Sequence, residues 1–345
     1  MRKRNTRNVT SGSLSRLFKG KVILITGGTG SFGRACAEVL LKKYNPKVVR
    51  IYSRDELKQW EMERAFGGSV KLRFLIGDVR DAGRLKRATE GVDILIHAAA
   101  LKHVPACEYN PVDAVRTNVD GTINVINAAL DNNIPHVIML STDKAVNPTN
   151  IYGATKLCAE RLIIQSNSYR GPSRATRFSV VRYGNVLGSR GSVIPLFREQ
   201  RERGEVTITD ERMTRFWITL PQAVDFVLSS LGSMQGGEIF VPKLPSMRIT
   251  DLAYVVAPKA KHKVIGIRAG ERLDEYLMTR EESRRAYEDS DRYVIAPGMH
   301  PWHWDQSRLR ALKQVKRDFE YNSRDNPEVL NKRELQKIIT DNRLA

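Results

Sequence analysis

The sequence predicts an α/β protein with a doubly wound parallel sheet and a smaller C-terminal substrate-binding domain. Two observations lead to this fold class. From Lys21 onward, short runs rich in Val, Ile and Leu alternate with helical segments, which is typical of a buried parallel sheet with right-handed crossovers. The glycine-rich segment TGGTGSFG stands between the first such run and the first helix. A chain of 345 residues with 41% apolar residues can also bury a large core.

The predicted elements follow one another in a regular order. After the strand KVILIT and a helix through ACAEVLLKKY come VVRIYS, a helix from Glu56, VKLRFLIGD, a helix near Arg84 to Thr89, DILIHAAA, a helix through Val115 to Leu130, and HVIMLST. A further helix follows Tyr152, and RFSVVRYGNV is the sixth predicted strand. After Val186 the chain becomes rich in loops, except that PQAVDFVLSSL and GGEIFVP are predicted to return to the sheet.

These elements predict four regions. Residues 1–20 form a basic arm that we expect to be disordered, because seven Lys/Arg and no acidic residue lie in residues 1–21. Residues 21–185 and about 218–243 form the nucleotide-binding Rossmann domain, and residues 186–217 and about 244–298 form the substrate domain. Residues 299–345 are a C-terminal extension, in which Leu330, Leu335 and Ile338 indicate an amphipathic helix.

Composition excludes several classes of protein. The net charge of +19 is spread along the chain, which disfavours nucleic-acid binding as the main role. We expect a cytoplasmic protein without a membrane segment, because the sequence has neither a signal peptide nor about 18 consecutive apolar residues. Cys36, Cys107 and Cys158 are widely spaced, so reduced thiols are expected and no metal site is predicted.

The first turn of the sheet is predicted to bind a dinucleotide. Gly27, Gly30 and Gly33 would form the turn, admit a pyrophosphate close to the backbone and let the helix pack on the strand. The helix N-terminus supplies N–H donors and partial positive charge. The other residues of the turn assigned to the cofactor are Thr29, Ser31 and Phe32.

The end of the second strand favours NADP over NAD. Ser53 and Arg54 occupy the position at which NAD enzymes favour an acid, and Lys58 lies one turn beyond Asp55. Cations suit a 2′-phosphate, although Asp55 could still bind a ribose hydroxyl. Further expected cofactor contacts are Asp78 and Val79 after the third strand, and the small residues Ala98, Ala99 and Ala100 after the fourth.

The stretch STDKAVNPTNIYGATK, residues 141–156, is the predicted catalytic segment. Tyr152 and Lys156 stand at i and i+4 on one helical face, where the ammonium is expected to lower the phenol pKa; both are also expected to contact the cofactor. Tyr152 could then accept a proton from a substrate alcohol to which Thr142 donates a hydrogen bond. With this Tyr-x-x-x-Lys pattern after strand five, the chain from Lys21 to about Pro297 resembles the extended short-chain dehydrogenase/reductase superfamily.

A charged pair, Asp143 and Lys144, follows Thr142 directly. A dehydrogenase or 4-epimerase needs only Thr142, Tyr152 and Lys156, whereas a 4,6-dehydration of a sugar needs one further acid and one further base. Six motifs together resemble the inverting UDP-N-acetylglucosamine 4,6-dehydratases that begin pseudaminic-acid synthesis. These motifs are GGTGSFG, HAAALKHVPACEYNP, STDKAVNPTNIYGATK, RYGNVLGSRGSVIP, MTRFWITL and IGIRAGE.

The resemblance implies a role for each catalytic residue. Tyr152 is the base for oxidation at C4, Lys144 removes the C5 proton, and Asp143 protonates the departing C6 hydroxyl. Tightly bound NADP is regenerated in each turnover, and the product is the 4-keto-6-deoxy sugar nucleotide inverted at C5 (L-arabino). Lys144 must be neutral to act, which burial favours and neighbouring Asp143 opposes.

Substrate contacts and partners follow from the same resemblance. It implies UDP-GlcNAc as the ligand and a homo-oligomer of two or more subunits. A UDP-sugar 4-epimerase is one alternative, and it would leave Asp143 and Lys144 without a role. A non-catalytic NADP-binding sensor or scaffold is the other, and such proteins usually lack the Tyr or Lys that is present here. The expected substrate-binding residues are Lys102, His103, Asn185, Ser192, Arg215, Arg268 and Glu271.

Overall fold

The computed structural model describes residues 11–171, 175–189, 191–299, 302 and 304–342. Its centre is a ten-stranded sheet in the order β16-β14-β15-β10-β6-β5-β4-β1-β2-β3. Every pairing from β3 through β1 to β10 is parallel, and β15, β14 and β16 add antiparallel pairings at one edge. The strands of this sheet are β1 (Val22–Thr26), β2 (Val48–Ser53), β3 (Leu72–Ile76), β4 (Ile94–His97), β5 (His136–Thr142), β6 (Arg177–Tyr183), β10 (Ile239–Pro242), β14 (Ala286–Glu288), β15 (Arg292–Ile295) and β16 (Lys313–Gln314).

Helices connect the parallel strands in the predicted alternation, so the predicted fold class is confirmed. The α2 helix continues as a π-helical turn over Leu40–Tyr44, and another π-helical turn, Arg116–Asp120, precedes α7. The helices are α1 (Ser11–Phe18), α2 (Ser31–Val39), α3 (Glu56–Ala65), α4 (Ala82–Ala88), α5 (Val104–Tyr109), α6 (Pro111–Val115), α7 (Gly121–Asp131), α8 (Ile151–Gln165), α9 (Val193–Glu202), α10 (Leu220–Ser233), α11 (Ile249–Val256), α12 (Arg280–Ser283) and α13 (Lys332–Asp341).

Smaller sheets build a second core beside the carboxyl ends of the parallel strands. Leu187, Trp217 and Leu252 are among its buried side chains, and α13 contributes Leu335 and Ile339. The amphipathic helix expected in the C-terminal extension therefore packs on the body of the protein. The remaining strands are β7 (Asn185–Val186), β8 (Glu205–Ile208), β9 (Thr214–Ile218), β11 (Ser246–Arg248), β12 (Lys261–Val264), β13 (Tyr276–Met278) and β17 (Tyr321–Asn322).

The structure corrects the expected boundaries in two places. The segments 286–295 and 313–314 lie in the main sheet, whereas the sequence placed them in the substrate domain and in the extension. The basic arm, residues 1–20, was expected to be disordered, yet residues 11–18 form α1. This helix buries Leu14 and Phe18 in the main core, because its apolar side chains share one face. Residues 1–10 of the arm lie outside the described residues.

Candidate active site

The glycine turn after β1 packs so closely on neighbouring backbone that side chains at Gly27 and Gly33 would clash. Gly27 has φ of 65°, and a Cβ atom on it would lie 2.9 Å from the Cα of Ala99. A Cβ on Gly33 would lie 2.5 Å from the Cα of Gly28, so the helix packs directly on the turn. Gly30 is the N-cap of α2, whose N-terminus faces this turn. The geometry fits a pyrophosphate bound by backbone N–H groups.

The region after β2 and β3 carries more positive charge than the sequence indicated. Arg54 and Arg80 both contact the Asp78 carboxylate, at 3.4 and 2.7 Å. Lys58 instead pairs with Asp55 at the start of α3, so these two charges compensate each other. Arg80 was missed because Asp78, the residue singled out there, is two positions away and nothing local marks Arg80. Two guanidinium groups therefore stand at the position expected for a 2′-phosphate.

Small residues after β4 lie beside the glycine turn, as their size predicted. The backbone N–H groups of Ala98 and Ala99 donate to the Thr26 hydroxyl, at 3.2 Å each. Thr26 also contacts Nδ1 of buried His97 at 2.7 Å, and burial together with the charge of Lys156 lowers the pKa of His97 to about 3. The His97 imidazole is therefore neutral, and it contacts the Thr26 hydroxyl at the end of β1, beside the predicted cofactor site.

A cavity of about 500 Å³ joins this region to the predicted substrate contacts. Partial desolvation and the nearby charge of Lys144 lower the pKa of Lys102, which shows that the two ammonium groups are close enough to interact. The His103 side chain is exposed at the N-cap of α5. The residues lining the cavity are Arg54, Arg80, Ala100, Leu101, Lys102, His103, Ala106, Cys107, Asn110, Asp113 and Thr117.

The catalytic helix α8 begins directly beside the cavity. Asn150 caps it by accepting a hydrogen bond from the Gly153 N–H, and Tyr152 and Lys156 are both buried. The Lys156 ammonium donates to the carbonyl oxygen of Leu140 at 2.8 Å, and burial lowers its pKa to about 8. Burial raises the pKa of Tyr152 to about 12, against the lowering effects of Thr142 and Lys144. The expectation that Lys156 lowers the phenol pKa is therefore not met, and Lys144 is the cation that acts on it.

Asp143 and Lys144 form a short helical turn at the end of β5, facing the same site. The Lys144 Nζ lies 3.1 Å from Oδ1 of Asp143, which also accepts a hydrogen bond of 2.8 Å from the Thr142 hydroxyl. Only 1% of the Asp143 side chain is exposed, and its Oδ2 accepts no hydrogen bond. Burial raises the pKa of Asp143, against the lowering effects of Lys144 and Thr142.

A second carboxylate that the sequence did not reveal completes this cluster. Glu275 is buried, and its Oε1 lies 3.2 Å from the Lys144 Nζ. Burial opposes a charged Lys144, but Asp143 and Glu275 together raise its pKa above the usual lysine value. The only sequence signal was that Glu275 follows the motif IGIRAGE by four residues, in a loop-rich segment. Lys144 is therefore an ammonium ion between two carboxyl groups.

Arg215 differs from its expected role as a phosphate clamp. Its guanidinium is buried and donates to the carbonyl oxygens of Thr214, Leu273 and Arg272, at 2.7 to 2.9 Å. Its Nε lies 3.5 Å from Glu275. These contacts occupy the guanidinium inside the protein, so Arg215 holds the segment that carries Glu275. A guanidinium is favoured there because it can donate to several carbonyl oxygens at once.

The other expected substrate residues lie in two parts of the chain: Asn185 in β7 and Ser192 at the N-cap of α9, and Arg268 and Glu271 in the loop before β13. Arg268 is exposed, and its backbone N–H donates to the Glu271 carboxylate at 3.2 Å. The neighbouring carbonyl of Gly270 accepts hydrogen bonds from Thr149 and Asn150, next to the start of α8. Among the residues that the structure describes, no hydrogen-bond partner reaches the buried side-chain oxygens of Asn185 and Ser192. These free oxygens are suited to a polar ligand.

A buried ion cluster fixes the far end of the catalytic helix. The Arg182 guanidinium pairs with Glu160 of α8 at 2.6 Å and with Glu282 of α12 at 2.9 Å. It also donates to the carbonyl oxygen of Leu277 at 2.9 Å. Arg182 thereby connects α8 with the segment that follows Glu275. No local sequence pattern marks these residues, because they come from three distant segments.

Within the described residues, no helix has both the length and the apolar character needed to cross a membrane. The same part of the chain has no group of three or more His, Cys, Asp or Glu side chains arranged to hold a metal ion.

The chain is similar to known proteins along most of its length. A family model described as "Polysaccharide biosynthesis protein" matches residues 23–297. A Campylobacter jejuni protein named UDP-N-acetylglucosamine 4,6-dehydratase (inverting) is 50% identical over 330 residues, covering 94% of this chain and 98% of that protein. A Rickettsia conorii protein named UDP-glucose 4-epimerase is 42% identical, covering 94% of this chain and 96% of that protein.

A solved structure is also similar to this chain along most of its length. The X-ray structure of Pen from Bacillus thuringiensis superimposes with a TM-score of 0.87 at 40% identity, covering 95% of this chain and 99% of that one. The dehydratase name thus belongs to a relative at 50% identity, and the epimerase name to a relative at 42% identity.

Proposed function

The chain belongs to the polysaccharide biosynthesis protein family, and from this membership and its buried acid-base cluster we propose that it is an NADP-dependent UDP-N-acetylglucosamine 4,6-dehydratase that inverts C5. The observation that carries the proposal is the pair of Asp143 and Lys144, with Nζ and Oδ1 3.1 Å apart. A 4-epimerase has no use for this pair, and burying unused charges costs free energy. Elimination of water needs both an acid and a base.

The residues around C4 would carry out the oxidation step. Bound NADP supplies the acceptor for the C4 hydride and returns it to C6 of the same sugar. Tyr152 accepts the proton of the C4 hydroxyl, and Thr142 and Lys144 favour the resulting phenolate because both lower the Tyr152 pKa. Lys156 is held in the adjoining turn of α8 by the Leu140 carbonyl.

One proton transfer would prepare the elimination. In the resting pair Lys144 is an ammonium and Asp143 a carboxylate. Moving a proton from Nζ to Asp143 creates a neutral amine and a neutral acid together, and burial favours the protonated form of Asp143. The two groups are in hydrogen-bond contact, so the transfer needs no intervening water.

Each bond change then has a residue to support it. The amine of Lys144 takes the C5 proton, and the C5–H electron pair forms a double bond between C5 and C6. The C6–O bond breaks, and the proton of Asp143 leaves with the hydroxyl as water. Both residues thereby return to their ionised forms. A solvent proton delivered to the opposite face of C5 completes the inversion.

We assign the nucleotide contacts from the same geometry. Arg54 and Arg80 would bind the 2′-phosphate of NADP, since both guanidinium groups meet at Asp78. UDP-GlcNAc would occupy the 500 Å³ cavity near Lys102 and His103 and extend towards Asn185 and the loop of Arg268 and Glu271. We also propose that the protein is a homo-oligomer in the cytoplasm whose product enters pseudaminic-acid synthesis. Light scattering of the purified protein measures its subunit number.

The mass of the product distinguishes the proposal from its alternative. The protein is incubated with UDP-GlcNAc without added reduced cofactor, and the nucleotide sugar is analysed by mass spectrometry. Dehydration gives a product lighter by one water molecule. A UDP-sugar 4-epimerase, the activity named for the Rickettsia relative, gives an isomer of unchanged mass. A product of unchanged mass would reject the dehydratase proposal.

A further inference from the structure

Glu275 shares the Lys144 ammonium with Asp143. Lys144 Nζ lies 3.1 Å from Oδ1 of Asp143 and 3.2 Å from Oε1 of Glu275, so its donors contact both carboxyl groups. Both carboxyl side chains are almost fully buried, whereas Lys144 is 24% exposed towards the site. Each also keeps one oxygen that accepts no hydrogen bond, Oδ2 of Asp143 and Oε2 of Glu275.

The position of Glu275 is fixed by three separate segments. Its backbone N–H donates to the Ser323 hydroxyl at 2.9 Å, and Ser323 also contacts the Thr214 hydroxyl at 2.6 Å. Arg272 lies 3.8 Å from Glu275 and donates to the carbonyl oxygen of Val146, at the end of the turn that holds Lys144. The segment around Glu275 is therefore attached to the catalytic turn.

The Glu275 carboxylate is kept ionised by its neighbours. Burial opposes its charge, but Lys144, Arg215 and Arg272 outweigh this effect and lower its pKa. The same negative charge acts on the pair, because Glu275 raises the pKa of both Lys144 and Asp143. The charged or titratable groups that act on Lys144 are Asp143, Glu275, Arg215 and Tyr152, and Lys144 in turn acts on Lys102.

We infer that Glu275 is a positioning residue of the dehydration site, which holds Lys144 against Asp143 and sets the pH range in which this pair exchanges its proton. The inference rests on the proposed dehydratase function. Lys144 and Asp143 can supply one base and one acid only while they share a single exchangeable proton, which either Nζ or the Asp143 carboxyl group carries. A fixed negative charge moves both the gain and the loss of that proton to higher pH.

Glu275→Gln tests this role because it keeps the size and an oxygen acceptor but removes the charge. We expect both limbs of the bell-shaped pH profile of kcat to move to lower pH, by about 1 to 3 units for a charge in direct contact. Glu275→Asp, which retains the charge, should keep the limbs near their wild-type positions. Glu199→Gln is the matched control, because Glu199 is 62% exposed and pairs with Arg203 at the surface.

If Glu275→Gln folds poorly, Arg272→Gln provides a second test, in which the pH profile of kcat should shift in the opposite direction. Loss of that cation strengthens the field of Glu275, so both limbs should move to higher pH. A Glu275→Gln profile that is lower at every pH but unshifted, or an Arg272→Gln profile that moves to lower pH, would overturn the inference while the wild-type enzyme remains a dehydratase. An inactive wild type would instead overturn the proposed function on which the inference rests.

Discussion

The Nζ atom of Lys144 lies 3.1 Å from Oδ1 of Asp143, at the end of the strand that leads into the catalytic helix. This contact joins the proposed base and the proposed acid of the dehydration in one hydrogen bond. Lys144 can act as a base and Asp143 as an acid only after the proton moves from Nζ to the Asp143 carboxylate. The ionised pair is therefore the resting state, and this proton transfer produces the reactive state.

Replacement of Lys144 should stop the chemistry at C5 without releasing the cofactor. Lys144→Ala removes the group that takes the C5 proton, while the glycine turn after β1 is untouched. We expect solvent exchange at C5 to be lost and the stoichiometry of bound NADP to remain that of the wild type. Lys86→Ala is the control, because Lys86 is 61% exposed and pairs with Asp131. Unchanged exchange in the Lys144 variant would assign the base elsewhere.

Lys156 should make stability depend on pH in the alkaline range. Its pKa is about 8 when folded and 10.5 ordinarily, because burial disfavours the ammonium. Between these values the unfolded chain binds more protons than the folded chain, so the free energy of unfolding rises with pH. The rise attributable to Lys156 is at most about 3 kcal/mol.

Denaturant titrations of the cofactor-free protein at pH 7 and pH 10, compared with Lys156→Met, isolate this contribution. The variant lacks the ionisable group, so its free energy of unfolding should rise less between the two pH values. Parallel pH dependences for the two proteins would show that Lys156 is not held with a lowered pKa.

Replacement of Arg182 should lower the free energy of unfolding far more than replacement of an exposed arginine that also forms an ion pair. Arg182→Met leaves Glu160 and Glu282 buried without their cation, which costs about 3 to 5 kcal/mol. Arg203→Met breaks a 2.6 Å pair with Glu199 at the surface, where a loss below about 1 kcal/mol is expected. Urea denaturation measures the free energy of unfolding of both variants. Equal losses in the two variants would contradict a stabilising role for the buried Arg182 cluster.

The N-terminal helix should contribute to the core. Phe18 is fully buried, so Phe18→Ala should lower the free energy of unfolding by about 3 to 5 kcal/mol. Leu57 is 62% exposed, and Leu57→Ala should change it by less than about 0.5 kcal/mol. Thermal denaturation of the two variants tests the difference. A negligible effect of Phe18→Ala would restore the expectation of a disordered arm.

The glycine turn should tolerate no side chain at Gly33. A Cβ atom there would lie 2.5 Å from the backbone of Gly28, so Gly33→Ala must displace the turn. An overpacking cost of about 1 to 3 kcal/mol, borne by the turn that binds the cofactor, corresponds to about a 5- to 150-fold loss of NADP affinity. Gly12→Ala is the control, because nothing lies within 4 Å of its added Cβ. Calorimetric titration with NADP measures both affinities.

Local sequence patterns correctly predicted the structural features that are determined by residues close together in the chain. Alternating apolar runs predicted the parallel sheet, and the spacing of Tyr152 and Lys156 predicted their shared helical face. The spacing of Gly27, Gly30 and Gly33 predicted the close turn after β1. Each of these features is determined within a few residues, where periodicity and backbone sterics act.

The features that the sequence did not predict depend on distant contacts. Glu275 reaches Lys144 through a loop anchored by Ser323, and no local motif marks such a meeting. Arg215 was assigned to the substrate because the motif MTRFW resembles a UDP-binding motif, whereas its guanidinium donates to three backbone carbonyl oxygens. The antiparallel strands at the sheet edge were missed because they are short and interrupted by loops.

The most direct test of the proposed function is the fate of the hydrogen at C5. The protein is incubated with UDP-GlcNAc in D2O, and the product is examined by NMR before it can exchange further. The account predicts a 4-keto-6-deoxy sugar nucleotide that carries deuterium at C5 in the inverted configuration, with no net consumption of NADPH. A product that keeps protium at C5, retains the configuration there, or forms only with stoichiometric NADPH would contradict it.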